Sequence, residues 1–219
     1  MTRVAAVVAA AGSGVRLGGS TPKALRLLGD QPLLVRAVAA LRAGGVDEVV
    51  VVAPEAYLHQ VGGLVPGCLV LRGGATRQQS VLNGLTALSS EAEIVLVHDA
   101  ARALAPASLV ARVIAAVESG HDAVIPGLGV TDTIKTVDGL SVVVGTVDRR
   151  TLRAIQTPQG FRRALLEQAH AGGPSEATDD AALVEQLGKS VYVVDGDRLA
   201  LKITTPEDLV IAAALLEGL

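Results

Sequence analysis

Apolar positions in this chain follow two rhythms. Short continuous runs of Val, Ile, Leu and Ala alternate with longer stretches in which apolar residues recur at helical spacing. The runs are Val4–Ala10, "EVVVVAP" from Glu48, "CLVLRGG" from Cys68, "EIVLVHDAAR" from Glu93 and "DAVIPG" from Asp122. Between them, "QPLLVRAVAALRAGG" places Leu34, Val35, Val38 and Leu41 on one helical face, with Pro32 near its start and Gly44 and Gly45 at its end. "SVLNGLTALSS" and "PASLVARVIAAVESG" carry the same helical signal. Strands without alternation, separated by helices, predict βαβ units and a parallel sheet covered on both faces.

From Thr131 to Asp148 the rhythm changes. "TDTIKTVDGLSVVVGTVD" has strand-like residues on both sides of "DGLS", which predicts a hairpin that projects from the domain. After it come a strand "LRAIQTPQ", helices over Arg162–Ala171 and Asp179–Leu187, a strand "SVYVVDG", and a terminal helix from Pro206 behind Thr205. No repeat or linker divides the chain, so residues 1–219 are expected to form one α/β domain with 131–148 as its β-arm. The opening "MTRVAAVVAAAG" has the outline of a secretory leader, with Arg3 ahead of a short apolar run and small residues at Ala9–Ala11. Its brevity and lack of Leu fit a buried parallel strand better. No run approaches the ~20 residues of a membrane span.

Composition narrows the partners. Half the residues are apolar, yet the chain has one Phe, two Tyr and no Trp, so the core is aliphatic and the aromatic platforms of single-stranded nucleic-acid binders are missing. Net charge is −3, without blocks of like charge, and advertises neither nucleic acid nor an anionic membrane. Cys68 stands alone, which rules out an internal disulfide, argues against a cysteine-rich metal site and fits a reducing cytoplasm.

Each apolar run breaks into small, polar or charged residues at its C-terminal end, where an open α/β sheet binds its ligand. The first break, "AAAGSGVRLGGSTPKAL", is a glycine-rich loop with two cations, Arg16 and Lys23. It is not a Walker A loop, because Gly14 and Gly19 are followed by Ser20 and Thr21 with no Lys. It is not a dinucleotide fingerprint either, since Leu17 occupies the place of the third glycine. What remains is a backbone able to approach an anion, with a cation on either side, as a triphosphate requires. Asp99 and Arg102 follow the fourth run; a lone carboxylate beside a phosphate loop suits Mg²⁺. His98 is expected to pack or bond locally. Gly73 and Gly74 let backbone approach a flat ligand, and Ser80 is placed to cap the next helix. Arg77, near that helix start, carries no signal by itself. Lys202, between Leu201 and Ile203 on an apparent strand, calls for an anionic partner.

Taken in order, "AAAGSGVRLGGSTPKAL", "GGATRQQSVLNGL", "HDAAR", "DTIK", "TVDR", "TPQGF", "ATDDAALVEQLG" and "LKITTPEDL" resemble the 2-C-methyl-D-erythritol 4-phosphate cytidylyltransferase (IspD) family from first strand to last helix. The resemblance implies a Rossmann-like nucleotidyltransferase fold, a β-arm that builds a homodimer, and Mg²⁺-dependent reaction of CTP with methylerythritol phosphate to give CDP-methylerythritol and pyrophosphate. It implies that Arg16, Lys23 and Lys202 hold the phosphates and stabilise charge at the α-phosphate, and that Asp99 serves metal and substrate. By the same resemblance Ala10, Ala11, Gly12, Gly74 and Ser80 surround cytosine and ribose. Thr133 and Arg149 grip the acceptor phosphate across the dimer, and Arg102 and Thr157 belong to the substrate site.

The chain departs from that pattern at Ala103, where Pro is expected, at Leu199-Ala200-Leu201, where a "DNIK"-like run is expected, and at Ala75, where some members are acidic. Alternatives are a ribitol-phosphate or other pyrimidine nucleotidyltransferase, and a nucleotide-binding module without turnover. A dehydrogenase is disfavoured by the displaced third glycine.

Overall fold

The computed structural model describes residues 2–12, 14–18, 21–172 and 177–218. Its elements in chain order are β1 (Val4–Ala9), β2 (Leu27–Leu28), β3 (Gln31–Pro32), α1 (Leu33–Ala43), β4 (Glu48–Ala53), α2 (Leu58–Leu64), β5 (Leu69–Arg72) and α3 (Arg77–Thr86). These are followed by β6 (Ile94–Asp99), α4 (Ala107–Glu118), β7 (Ala123–Gly129), β8 (Lys135–Val137), β9 (Val143–Thr146) and β10 (Arg153–Ile155). The chain ends with β11 (Gln159–Arg162), α5 (Arg163–Ala171), α6 (Asp180–Gln186), β12 (Tyr192–Asp195) and α7 (Pro206–Glu217).

The first apolar run becomes the middle of the sheet. β1 pairs in parallel with β4 on one side and β6 on the other, and β5 extends the sheet beyond β4. Its side chains alternate between two cores. Val4, Ala6 and Val8 meet Leu34, Val38 and Leu41 of α1 and Val110, Val113 and Val117 of α4. Ala5 and Val7 meet Val81 and Leu85 of α3, Leu166 of α5 and Val184 of α6. Both faces are therefore covered, and the near-continuous hydrophobicity of the strand follows from that. Small residues set the layer spacing: a Cβ on Gly84 of α3 would lie 2.5 Å from Val7.

The sheet order is β10-β7-β11-β6-β1-β4-β5, with β12 also paired to β7. The segment expected as one strand, "LRAIQTPQ", is instead two elements. β10 runs antiparallel to β7, and β11 inserts antiparallel between β6 and β7. The cis Thr157–Pro158 peptide lies between them, where a residue without N–H cannot continue a ladder. The strand expected around Lys202 is absent too. Residues 201–204 are irregular, and Ile203 is fixed by its N–H to the Ala101 carbonyl at 2.9 Å and by burial beside Leu17, Leu28 and Leu33. The terminal helix begins where expected: Thr205 and Asp208 form a reciprocal capping box with Pro206 at the first helical position.

β8 and β9 form a separate two-stranded sheet, and no residue from 128 to 151 is buried. Asp138 closes its turn by accepting the N–H groups of Leu140 and Val142. Leu140, Val142, Val143 and Val144 are exposed along it.

Every residue of β6 is buried, including His98. The Thr157 hydroxyl oxygen accepts the Asp99 N–H at 3.0 Å and lies 3.0 Å from His98 Nδ1. With one proton and two acceptor sites, the hydroxyl can donate to Nδ1 or accept from it, so either neutral tautomer of His98 satisfies the contact. Burial holds the imidazole pKa down at about 4, against a smaller opposing pull from Asp99. An unfolded histidine titrates near 6.5, so acid favours the unfolded chain. The stability from this residue is complete above pH ~6.5, declines as pH falls toward 4, and the loss reaches about 3 kcal/mol. Urea unfolding of the wild type and of His98→Asn, whose amide can replace Nδ1 as donor or acceptor, should show a shallower pH dependence in the variant between pH 7 and 4. Equal slopes would mean that His98 is not the buried neutral group described.

Candidate active site

The C-terminal ends of β1 and β6 lie level, because Ala9 pairs with Asp99 in the parallel register. Above them opens a cleft of about 300 Å³, lined by Ala9–Gly12, Lys23, Ala24, Gly74–Arg77, Ser80, Asp99–Ala101 and Lys202. The sheet edge that the sequence marks for chemistry is thus where the cavity forms.

Close backbone approach shapes one wall. A Cβ on Gly73 would lie 2.5 Å from that of Ala11, so the loops after β5 and β1 meet only because Gly73 has none. The Gly74 N–H donates to Ser80 Oγ at 3.0 Å, and that hydroxyl donates to the Thr76 carbonyl at 2.9 Å. Ser80 therefore ties down the loop from within the first turn of α3. The helix cap expected at Ser80 is Thr76, whose hydroxyl accepts the Gln79 N–H. With its N–H already engaged, Gly74 offers a ligand its carbonyl.

The opposite wall carries the cations. Gly14, at φ +67°, turns the opening loop where a Cβ would stand 2.8 Å from that of Lys23. Lys23 follows Pro22 on a short turn, and its Nζ donates to the Ile203 carbonyl at 3.1 Å. Arg16 is exposed on the turn Val15–Leu17. Ser13, Gly19 and Ser20 of this loop lie outside the described residues. Burial lowers the Lys23 pKa, and the nearby charges of Lys202 and Arg16 lower it further against the pull of Asp99.

Asp99 is the counter-charge. Lys202 Nζ lies 2.7 Å from its Oδ2, while Arg77 Nε and Nη2 face Oδ1 at 3.4 and 3.5 Å. Burial alone would raise this carboxyl's pKa, but Arg77 and Lys202 outweigh it and bring it to about 2, so Asp99 remains ionised. Among the described residues no cluster of three or more His, Cys, Asp or Glu forms a preformed metal cage. One carboxylate facing a cation-rich cleft is the donor set of an Mg²⁺ ion that completes its shell with phosphate oxygens and water, and Asp99 fits that use.

Other residues marked in the sequence stand elsewhere. Arg102 is largely committed to architecture: Nη1 donates to the Ala200 carbonyl at 2.7 Å and Nη2 to that of Ile155 at 3.1 Å. The unusual Leu199-Ala200-Leu201 run thus supplies a main-chain acceptor, its Leu199 N–H is capped by Asp197, and its side chains pack into the neighbouring apolar clusters. Thr157 is buried beneath Asp99. Thr133 and Arg149 lie at the base of the β8–β9 hairpin, apart from the cleft-lining set, and Arg149 donates to the Thr131 carbonyl. Arg77 is the cleft residue that sequence reading passes over. Its one local signal is a cation at the first position of a helix, where the dipole opposes it.

The chain has clear relatives. The family model described as 2-C-methyl-D-erythritol 4-phosphate cytidylyltransferase matches residues 4–218. A protein of that name from Rhodococcus opacus is 54% identical over 98% of this chain and 95% of its own length. One from Streptomyces coelicolor is 49% identical over 98% and 85%. The crystal structure of the protein so named from Thermus thermophilus superposes with a TM-score of 0.80 at 40% identity, covering 99% of this chain and 100% of that one. That of 4-diphosphocytidyl-2C-methyl-D-erythritol synthase from Anaerococcus prevotii gives 0.85 at 30% identity, covering 99% of both. A cation-lined cleft at the carboxyl edge of the sheet and relatives matched over nearly their full length agree: the chain belongs to the 2-C-methyl-D-erythritol 4-phosphate cytidylyltransferase family.

Proposed function

We propose that this chain transfers a cytidylyl group from CTP to 2-C-methyl-D-erythritol 4-phosphate, releasing pyrophosphate, as a step of non-mevalonate isoprenoid biosynthesis. The observation that carries the reading is the grouping of Lys23, Lys202 and Arg77 around ionised Asp99 in one cleft. In the reaction an oxygen of the acceptor phosphate bonds to the α-phosphorus of CTP. The bond from that phosphorus to the oxygen bridging the β-phosphate breaks, and pyrophosphate departs with the electron pair. The attacking oxygen is already anionic, so no general base is needed. His98 is buried and neutral, with Nδ1 occupied by Thr157, and takes no part in proton transfer.

The protein's work is positioning and charge compensation. Lys23 has three N–H donors and can keep the Ile203 carbonyl while turning the others to the triphosphate. Lys202 reaches from Asp99 toward the same phosphates, and Arg16 closes the open side of the loop. The cleft between the Gly73–Ser80 loop and Ala10–Gly12 receives the base and ribose through backbone groups. Asp99 would hold Mg²⁺, which supplies charge neutralisation at the phosphates when bound.

We further propose a cytoplasmic homodimer in which each hairpin completes the partner's site. Two observations support it: the exposed apolar row of Leu140, Val142, Val143 and Val144, and the position of Thr133 and Arg149 outside the cleft-lining set of their own chain. The lone Cys68 suits the reducing compartment.

Pyrophosphate release with Mg²⁺, from each of CTP, UTP, ATP and GTP offered with methylerythritol phosphate or ribitol phosphate, should require CTP and methylerythritol phosphate. Turnover with ribitol phosphate alone would overturn the acceptor, and no turnover with any pair would overturn the transferase reading. In that assay Lys23→Ala should lower kcat by roughly 10²- to 10³-fold with little change in Tm, because a pre-placed charge donor is lost from a polar loop. Unchanged kcat would remove the triphosphate clamp.

Mixing Arg149→Ala and Lys23→Ala subunits should restore part of the activity that each lacks alone. Demonstrated heterodimers without restoration would show that each site is built within one chain.

A further inference from the structure

Arg77 faces Asp99 from a place that does not favour a cation. It is the first residue of α3, directly behind the cap Thr76, where the unpaired N–H groups of the helix carry partial positive charge. Two carboxylates from distant segments compensate it, and they do so unequally. Nη1 donates to Asp180 Oδ2 at 2.7 Å, whereas Asp99 Oδ1 lies at 3.4 and 3.5 Å from Nε and Nη2. Arg77 is therefore anchored on Asp180 and reaches from there into the cleft.

Asp180 is itself fixed. It is 1% exposed, and its other oxygen, Oδ1, lies 3.1 Å from Nε2 of His170, which is 2% exposed. An ionised carboxylate only accepts, so Nε2 carries the proton, and Nδ1 is buried without a partner among the described residues. Four elements thus converge in a line: α5 supplies His170, α6 Asp180, α3 Arg77 and β6 Asp99. The Asp180 side chain is not needed to cap its own helix, because Asp179 accepts the Ala182 N–H. Burying a carboxylate and a histidine where apolar residues would pack as well is weak evidence for stability, and it calls for another purpose.

We propose that Asp180 is a positioning residue for the transfer reaction: by holding Arg77, and being held by His170, it fixes Oδ1 of Asp99. The inference rests on reading the cleft as a nucleotidyl-transfer site. Asp99 lies between two cations, Arg77 on Oδ1 and Lys202 on Oδ2. Without the pull from Arg77 the carboxylate is free to rotate and engage Lys202 with both oxygens, which withdraws Lys202 from the phosphates. Asp180 sets that balance without entering the cleft lining.

The test is a double-mutant cycle on the full chain, with Asp180→Asn, Arg77→Gln and the pair, reading kcat, both KM values, CTP affinity by calorimetry and Tm. Asp180→Asn should lower kcat/KM for CTP by roughly 10- to 100-fold, as displacement of a positioned group does. It should weaken CTP binding in the same direction and leave the acceptor KM within about twofold. The double variant should fall no further than Arg77→Gln, since Asp180 acts through Arg77. Additive losses, wild-type kinetics in Asp180→Asn, or a fall in Tm with kcat/KM unchanged would overturn the proposal. Should Asp180→Asn not fold, Arg77→Lys is decisive. Lysine keeps the charge but lacks the planar fork that spans two carboxylates, so the same loss is expected, and wild-type kinetics overturns the idea. A wild-type protein that releases no pyrophosphate refutes the transfer reading and takes this inference with it. Wild-type turnover with unaffected variants refutes Asp180 alone.

Discussion

The site depends on one buried carboxylate keeping several cations together. Two unit charges of like sign 4 Å apart repel by about 4 kcal/mol at an effective dielectric near 20, so a cleft lined by several cations needs an internal counter-ion before its ligand arrives. Asp99 fills that place, bound to Lys202 at 2.7 Å and facing Arg77. Its position comes from the sheet. β6 carries it to the height at which β1 turns into the opening loop, and the Thr157 hydroxyl holds its main-chain N–H. A cleft arranged in this way holds its charges in place before a ligand binds, the condition under which electrostatic catalysis gains its size.

Such an arrangement sets demands on packing. The loops that bound the cleft approach one another at backbone distance, and the core beneath must be thin. Gly73 against Ala11, Gly14 against Lys23 and Gly84 against Val7 are each contacts that a Cβ would close. An aliphatic core with a single Phe, Phe161, lets helices lie close on the central strands. The scarcity of aromatics, read from composition as evidence against nucleic-acid binding, also suits this close layering.

How much of this was legible depended on how local each signal was. Buried parallel strands announce themselves as unbroken Val and Ala runs, and the carboxyl-end rule then places Lys23 and Asp99 at one edge. Thr205-Pro206 with Asp208 spells its own capping box. β11 was illegible because its four residues straddle the end of the expected strand at Gln159 and the expected helix start at Arg162, and no alternation marks them. Lys202 looked like a strand residue because Leu201 and Ile203 flank it, whereas both pack on one apolar cluster from an irregular segment, with Ile203 fully buried. Thr76 and Ser80 both suit a cap, and only geometry separates the cap from the loop tie. The pair of Arg77 with Asp180 spans 103 residues, and no local pattern joins them. Asp180 even hides behind Asp179, the conventional capping residue beside it.

The motifs that made the family recognisable do not all line the cleft, and several act by holding the residues that do. In "HDAAR" the Asp lines the cleft, while Arg102 ties the turn at Ala200 to the end of β10 and so fixes the approach of Lys202, two residues further on. In "TPQ" Thr157 supports Asp99 and His98 from below, and Gln159 reaches α6 by donating to Asp179 and accepting the Ala181 N–H. "ATDD" supplies the helix that anchors Arg77. Read as scaffolding, these distant segments converge on the placement of a single carboxylate and the cations around it. A substitution in such a motif can therefore alter chemistry at a distance without touching nucleotide. The Leu199-Ala200-Leu201 run joins the same scaffold in two ways: the Ala200 carbonyl accepts from Arg102 and Asp197 caps the Leu199 N–H, while Leu199 and Leu201 pack on the core around Ile203 and Ala200 is buried beside Ala105 and Leu109.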